Sequence, residues 1–264
     1  MILNDHFINV EIYNKNITKD TTLIFTHGLG EYSKSYVEVA EFFENNGFQA
    51  IIYDIRGHGK SEGKRGYIKS YNDFIDDLDS LVRYAYKTTK KVFLVGHSMG
   101  GLITNLYQSL NNNVDGVIIT ASPTTYLQNI QKLRYFPRFL LNKKKFKTNF
   151  YDEKLVHDNN YVVDGYDLTQ FYFKLINEML FKGIAKLNKN MHNFNRKVLL
   201  IYSKNDKLGP VSYGKHFYDN INSEDKELFI LENSKHNLFN DIEKEVVFNK
   251  MLDWIEERLW KNMY

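Results

Sequence analysis

The sequence contains no cysteine. This absence excludes a disulfide-stabilised scaffold, a zinc site built on thiolates, an iron–sulfur cluster and a cysteine nucleophile. No apolar run reaches the length of about 18 residues that a membrane-spanning helix needs, so we expect no transmembrane segment. Residues 1–16 lack a basic region followed by an apolar stretch, and we therefore expect no secretory signal and a cytoplasmic protein.

The sequence also has no zinc-finger, homeodomain or RNA-binding motif, so we expect no nucleic acid partner. What it does have is an ordinary globular composition, with 43% hydrophobic and 25% charged residues. A chain of 264 residues is long enough to bury one large apolar core. No metal or other staple is needed to hold such a chain together.

Basic charge is concentrated in one part of the chain. The net charge is only +3, yet the stretch Thr124–Tyr151 holds seven basic residues and no acidic one: Lys132, Arg134, Arg138, Lys143, Lys144, Lys145 and Lys147. Apolar side chains are interleaved with them. A basic amphipathic segment can lie on an anionic bilayer, which predicts peripheral membrane contact through residues 127–150. The alternative is the solvated face of a surface helix.

Short apolar runs alternate with longer amphipathic ones along the sequence. The apolar runs are continuous, which is typical of parallel strands covered on both faces. Strands alternating with helices predict an α/β protein with an open, mostly parallel sheet of about seven or eight strands flanked by helices. The predicted strands are Thr22–Thr26, Phe48–Tyr53, Lys91–Val95, Gly116–Ala121, Lys197–Tyr202 and Glu227–Leu231, with one more near Phe7–Tyr13.

The alternation breaks between residues 124 and 196, where no convincing strand and two helical patches occur. An insert of this length between two strands suggests a helical cap over the strand ends. We therefore predict a core made of residues 1–123 and 197–264 and a cap made of residues 124–196. Ligands of such sheets bind beyond the carboxyl ends of the strands, beneath such a cap.

The motif Gly96-His97-Ser98-Met99-Gly100 directly follows a predicted strand and precedes a predicted helix. A strand-to-helix turn of this kind holds the serine in a strained conformation at the sheet edge, next to a helix N-terminus that favours negative charge. Ser98 is therefore the candidate nucleophile. An ordinary glycine-rich turn is the alternative.

A serine nucleophile needs a base and an orienting acid. Asp206 and His236 each follow a later predicted strand, so they should arrive at the same edge of the sheet as Ser98. His216 competes for the role of base but falls in a predicted helix. Asp219 and Asp225 compete for the role of acid, and neither follows a strand.

The oxyanion of an acyl-transfer reaction needs two backbone N–H donors. One candidate is Met99, the residue after the nucleophile. The other is Leu29, in the loop His27-Gly28-Leu29-Gly30-Glu31 that follows an early strand. Glycines let this loop approach a substrate, and we interpret His27 as a brace for the loop.

Together with the segment Asp54–Gly63, these motifs resemble the monoacylglycerol lipase and lysophospholipase branch of the α/β-hydrolases. The resemblance predicts a helical cap inserted after strand 6 of the sheet. The resemblance implies ester hydrolysis with Ser98 acylated, His236 carrying protons, Asp206 orienting His236, and no metal or cofactor. It implies a lipid ester substrate and a cap over an acyl tunnel. The candidate substrate-binding residues are Gly28, Glu31, Phe136 and Phe171, and further tunnel candidates are Phe139, Leu140, Phe173, Leu175, Met179 and Leu180. The alternative is that the apolar cap residues form the cap's own small core.

Other functions of the same fold stay open. Dehalogenases and epoxide hydrolases use an aspartate nucleophile, whereas position 98 is serine. Prolyl aminopeptidases carry a Gly-Gly-Pro-Gly loop, and the loop Gly28–Glu31 differs from it. This difference favours an ester over a peptide as the substrate. A small-ester esterase, an acyl thioesterase and a ligand-binding protein without turnover remain alternatives.

Overall fold

The computed structural model describes residues 1–127, 130–135, 137–147, 155–157 and 164–260. A seven-stranded sheet runs through the centre of the described chain, in the order β7-β6-β5-β4-β2-β3-β1. Its strands are parallel except β1, which pairs antiparallel with β3. The strands are β1 (Val10–Tyr13), β2 (Thr21–Thr26), β3 (Gln49–Tyr53), β4 (Lys91–His97), β5 (Gly116–Thr120), β6 (Lys197–Ser203) and β7 (Lys226–Leu231).

The predicted sheet is confirmed, and its strands lie within a few residues of the predicted positions. The amino-terminal segment contributes one strand to it. Residues Ile2–Leu3 and His6–Phe7 form a separate two-stranded ribbon. The insert that begins at residue 124 therefore follows the fifth strand of this sheet, not the sixth, because an eight-stranded sheet would carry one more strand at the start.

Helices cover both faces of the sheet. On one face lie α2 (Asn72–Ala85), α3 (Met99–Asn111) and α7 (Val211–Asn220), and on the other lie α1 (Val37–Asn45) and α8 (Lys244–Trp260). Neighbouring residues of a strand alternate between the two layers: in β2, Ile24 packs with α2 and α3, while Leu23 and Phe25 pack with α1. This alternation explains why the strand sequences are apolar throughout.

The insert 124–196 combines short helices with one strand pair, which the sequence did not predict. Its described elements are 3₁₀ turns at Gln131–Tyr135 and Met191–Asn193, α4 (Arg138–Leu141), an antiparallel pair of Lys145–Lys147 with Gln170–Tyr172, and a long helix. Each strand has only three residues and the two are far apart in sequence, so no periodic signal marks them.

The long helix of the insert consists of α5 (Phe173–Ile176), a π-helical stretch (Asn177–Gly183) and α6 (Ile184–Asn190). It packs on α3, and side chains such as Met179 and Leu187 belong to the same apolar core as that helix. The division of the chain into core and cap stays a prediction. Among the described residues, no helix has the length and apolar composition needed to cross a membrane.

Candidate active site

Ser98 lies in the sharp turn between β4 and α3. Its backbone has φ +52° and ψ −118°, a conformation that costs an L-residue free energy and is held here by the surrounding structure. The Ser98 N–H donates a hydrogen bond to the Thr120 carbonyl at 2.9 Å, which ties the turn to β5. The side chain is half-buried, so the hydroxyl lies above the sheet and remains partly accessible.

Gly100 lets α3 start directly against the end of β2. A Cβ at this position would stand 2.1 Å from the Thr26 carbonyl oxygen and 2.5 Å from that of His27, closer than atoms can approach. Any side chain at Gly100 would therefore push the helix away and displace Ser98. This contact is the physical reason for the second glycine of the motif.

Ser98, His236 and Asp206 are brought together beyond the carboxyl ends of β4, β7 and β6. His236 Nε2 lies 2.9 Å from Ser98 Oγ, and His236 Nδ1 lies 2.8 Å from Asp206 Oδ2. The ionised carboxylate accepts the Nδ1–H, which leaves the Nε2 lone pair free to accept the serine proton. The side chain of Asp206 is fully buried.

The pKa shifts of this pair suit proton transfer. Burial would raise the pKa of Asp206, but the charge and hydrogen bond of His236 and the N–H groups of Leu208 and Gly209 lower it below its ordinary value. Burial would lower the pKa of His236, yet the Asp206 carboxylate raises it. Asp206 is therefore ionised at neutral pH, and His236 is a stronger base than an isolated buried imidazole would be.

The competing acids and base lie elsewhere. His216 is on α7, where its Nε2 is 3.1 Å from Asn188 Oδ1. Asp225 accepts hydrogen bonds from the Arg258 guanidinium at the opposite end of the sheet. Asp219 is exposed on α7.

The loop after β2 lies against the nucleophile. A Cβ on Gly28 would stand 3.3 Å from Ser98 Cβ, and both Leu29 and Met99 line the cavity at Ser98. Within the described residues, neither the Leu29 nor the Met99 N–H has a hydrogen-bond acceptor. Their use as oxyanion donors stays a prediction.

Glu31 fixes the shape of this loop. Its carboxylate is buried, and Oε2 accepts the Gly28 N–H at 2.9 Å and the Tyr36 hydroxyl at 2.8 Å. Burial, with the Glu31 charge and hydrogen bond, raises the pKa of Tyr36 well above its ordinary value, so the phenol stays a donor. Glu31 thus shapes the loop as well as facing the cavity.

His27 braces the same loop. Its Nε2 accepts the Ile55 N–H at 2.9 Å, so the proton is on Nδ1 and is donated to the Gly28 carbonyl at 2.8 Å. Burial lowers the pKa of His27 and keeps the ring neutral.

A cavity of about 520 Å³ opens from Ser98 and His236 into the insert. Its walls are mainly apolar, and a volume of this size is ordinary for a small-molecule site. The described insert residues on its walls are Leu127, Ile130, Leu133, Phe146, Lys147, Leu155, Phe171, Phe173, Ile176, Met179 and Leu180. Among the described residues, no group of three or more histidine, aspartate or glutamate side chains is arranged to hold a metal ion.

The sequence matches the Hydrolase_4 family, described as serine aminopeptidase, S33, over residues 18–243. The chain belongs to this family. A monoglyceride lipase homolog of Monkeypox virus is 27% identical over 260 residues, which cover 94% of each protein. An uncharacterized abhydrolase domain-containing protein of Dictyostelium discoideum is 27% identical over 96% of this chain, and the chain spans 28% of that protein's length.

The fold is that of an α/β-hydrolase. The crystal structure of the Paleococcus ferrophilus monoacylglycerol lipase superposes with a TM-score of 0.84 at 21% identity, covering 96% of this chain and 99% of that one. The family match identifies the chain as a serine hydrolase.

Only some of the predicted substrate-binding residues of the hydrolase line the cavity. Gly28, Glu31 and Phe171 line the cavity, whereas Phe136 lies outside the described residues. Of the further tunnel candidates, Phe173, Met179 and Leu180 line it and Leu175 is in the main core. The expectation for Phe139 and Leu140 was wrong: they are 73% and 60% exposed, because the short helix α4 turns them away from the cavity.

Several cavity residues of the hydrolase were missed by the sequence reasoning. Asn237 and Lys207 follow His236 and Asp206 directly, and Leu127, Ile130 and Leu133 belong to the basic stretch. Asn237 and Lys207 could have been predicted from the sequence, because each is next to a candidate catalytic residue. The apolar residues could not be told from surface residues without knowing how the insert folds over the sheet.

Proposed function

We propose that the protein is a serine carboxylester hydrolase that cleaves monoacylglycerol or lysophospholipid esters through an acyl-enzyme intermediate. The observation that carries the proposal is the hydrogen-bonded series Ser98–His236–Asp206 at the base of an apolar cavity. The series can activate an alcohol, and the cavity can hold a hydrocarbon chain.

In the first step, Ser98 Oγ attacks the ester carbonyl as His236 Nε2 takes its proton. Asp206 keeps the imidazole oriented and stabilises its positive charge. The developing oxyanion is held by the Leu29 and Met99 N–H groups. The tetrahedral intermediate then breaks its bond to the alkoxy oxygen, which leaves as an alcohol with the proton from His236.

In the second step, a water molecule replaces the alcohol. His236 removes a proton from the water as its oxygen attacks the acyl carbon of the Ser98 ester, and the same N–H groups hold the oxyanion. Collapse breaks the bond to Oγ and returns the proton to Ser98. The products are a carboxylic acid and free enzyme.

The apolar wall of the cavity favours a substrate with a long acyl chain. Apolar side chains from the insert, including Phe171, Phe173 and Leu180, surround the space beyond Ser98. Glu31 and Gly28 stand at its base, next to the nucleophile, where the polar part of an ester would lie. The virus relative is a monoglyceride lipase homolog, which supports the same class of substrate.

The insert residues 124–196 also support a role as a cap that contacts an anionic membrane. Phe139 and Leu140 are exposed, and the side chains of Lys143, Lys144, Lys145 and Lys147 are exposed beside them. Apolar side chains next to lysines suit the boundary between acyl chains and anionic headgroups.

Hydrolysis of p-nitrophenyl esters of rising chain length, with a monoacylglycerol and a lysophospholipid in the same panel, tests the proposal. We expect kcat/KM to rise from acetate to octanoate or longer and at least one of the two lipids to be cleaved. A preference for acetate would instead indicate a small-ester esterase. A preference for acyl thioesters would indicate a thioesterase, and tight binding without turnover would indicate a ligand-binding protein.

A further inference from the structure

Residues 235–241, which we name the histidine loop, carry His236 and are bonded to residues 155–157 of the insert. The Asn237 N–H donates to the Leu155 carbonyl at 3.0 Å. The Lys235 ammonium donates to the Val156 carbonyl at 3.2 Å. Because Leu155 and Asn237 both line the cavity, the cavity wall and the loop with the candidate base are joined by hydrogen bonds.

Asp241 lies at the centre of this contact. Its carboxylate is fully buried, and Oδ2 accepts the Lys235 N–H at 2.6 Å. Oδ1 accepts the His157 N–H at 2.9 Å, and His157 Nδ1 lies 3.0 Å from the same oxygen. Burial would raise the pKa of Asp241, but these N–H groups lower it, so the carboxylate is a charged acceptor.

The backbone is thereby held on both sides of His236, at the Lys235 N–H and at the Asn237 N–H. On one side, Asp241 holds the Lys235 N–H, and on the other the insert holds the Asn237 N–H. The imidazole must reach Ser98 and Asp206 at once, and a displacement of about 1 Å at such a site costs roughly a hundredfold in rate. Asp206 orients the ring through Nδ1, but this side-chain contact does not fix the backbone of His236.

We propose that Asp241 is a positioning residue for the hydrolase reaction: it sets the backbone of His236 and makes that setting depend on the contact with residues 155–157. The Asp241 carboxylate then links two events: the binding of a substrate in the cavity next to Leu155, and the positioning of the base, His236. The proposal rests on the proposed function, since it assumes that His236 acts as the base for Ser98.

The variants Asp241→Asn and His157→Ala test the proposal in the full-length protein, with Asp225→Asn as the matched control. Asp225 is also a carboxylate that accepts hydrogen bonds from another segment, but its partner is Arg258 at the far end of the sheet. For Asp241→Asn we expect kcat on p-nitrophenyl butyrate to fall by about 10- to 100-fold, with KM changed by less than about threefold. Asp241→Glu should recover part of kcat. His157→Ala keeps the backbone donor and should lose less.

A second readout separates positioning from general loss of structure. The His236 ring faces Asp206, Glu31 and the His97 ring, whose centroid is 5.0 Å away. If the ring drifts from Asp206, the acid limb of the kcat/KM profile should move to lower pH in Asp241→Asn and stay in place in Asp225→Asn.

Wild-type kcat and an unshifted acid limb in folded Asp241→Asn would overturn the proposal, whatever the melting temperature. If Asp241→Asn does not fold, His157→Ala decides: a lower kcat at constant KM supports the link to the insert, and an unchanged kcat overturns it. Failure of the proposed function is a separate result, since it would appear in the wild-type protein as an absence of Ser98-dependent turnover.

Discussion

Gly28 stands so close to Ser98 that a Cβ added to it would lie 3.3 Å from Ser98 Cβ and 2.9 Å from Glu31 Oε2. The backbone of the loop after β2 thus forms one wall of the space in which an ester carbonyl would meet the nucleophile. Leu29, the next residue, is the predicted oxyanion donor, so the spacing between this loop and the turn at Ser98 controls where the oxyanion can be held.

Gly28→Ala should therefore lower activity without unfolding the protein. The added methyl group pushes the loop from Ser98, and we expect kcat/KM for p-nitrophenyl butyrate to fall by about a hundredfold. Gly165→Ala is the control, because a Cβ there meets no atom of the described residues within 4 Å, and its kinetics should match the wild type. Equal kinetics of the two variants would contradict the geometry of this loop.

The pH dependence follows from the raised pKa of His236. The base must be neutral to accept the Ser98 proton, so activity falls as the pH drops through that pKa. We expect the acid limb of kcat/KM above the ordinary imidazole value of about 6.5. Asp206→Asn removes the charge that raises it, so the limb should shift to lower pH and kcat should fall by about 10⁴-fold. A limb that stays in place would show that another group titrates.

The cavity predicts a size limit on the acyl chain. Leu180→Trp places a larger side chain in the cavity wall and leaves less room for the end of a long acyl chain. The rate on long p-nitrophenyl esters should then fall by about tenfold or more relative to the rate on the butyrate, because each methylene group kept out of an apolar pocket costs binding free energy. Leu140→Trp places the same side chain at an exposed position. If both variants keep the wild-type chain-length profile, the acyl chain is not bound in this cavity.

Membrane contact is tested by charge reversal. Changing Lys143, Lys144, Lys145 and Lys147 to Glu should reduce co-sedimentation with phosphatidylserine vesicles to the level seen with phosphatidylcholine alone, since each lysine contributes about 1 kcal/mol near such a surface. The control reverses four exposed lysines outside the insert, Lys15, Lys69, Lys87 and Lys215. Equal vesicle binding of the wild type and both variants would exclude the insert as the contact.

The sequence predicted that Ser98, Asp206 and His236 would lie together, because parallel strands bring their carboxyl ends to one edge. Ser98, Asp206 and His236 each follow an apolar run, so the order of strands was enough to place them together. The described part of the insert adds no strand to this sheet, so the same argument cannot place its residues. The exposure of Phe139 and the bond between His157 and Asp241 depend on how short elements fold back over the sheet, and neither leaves a periodic signal.

Labelling with a fluorophosphonate, read by mass spectrometry, tests the central claim most directly. The phosphonyl group should be found on Ser98 alone, and Ser98→Ala should lose both the label and ester hydrolysis while its unfolding transition stays within about 1 kcal/mol of the wild type. A label on another serine, or hydrolysis that persists in Ser98→Ala, would contradict the account.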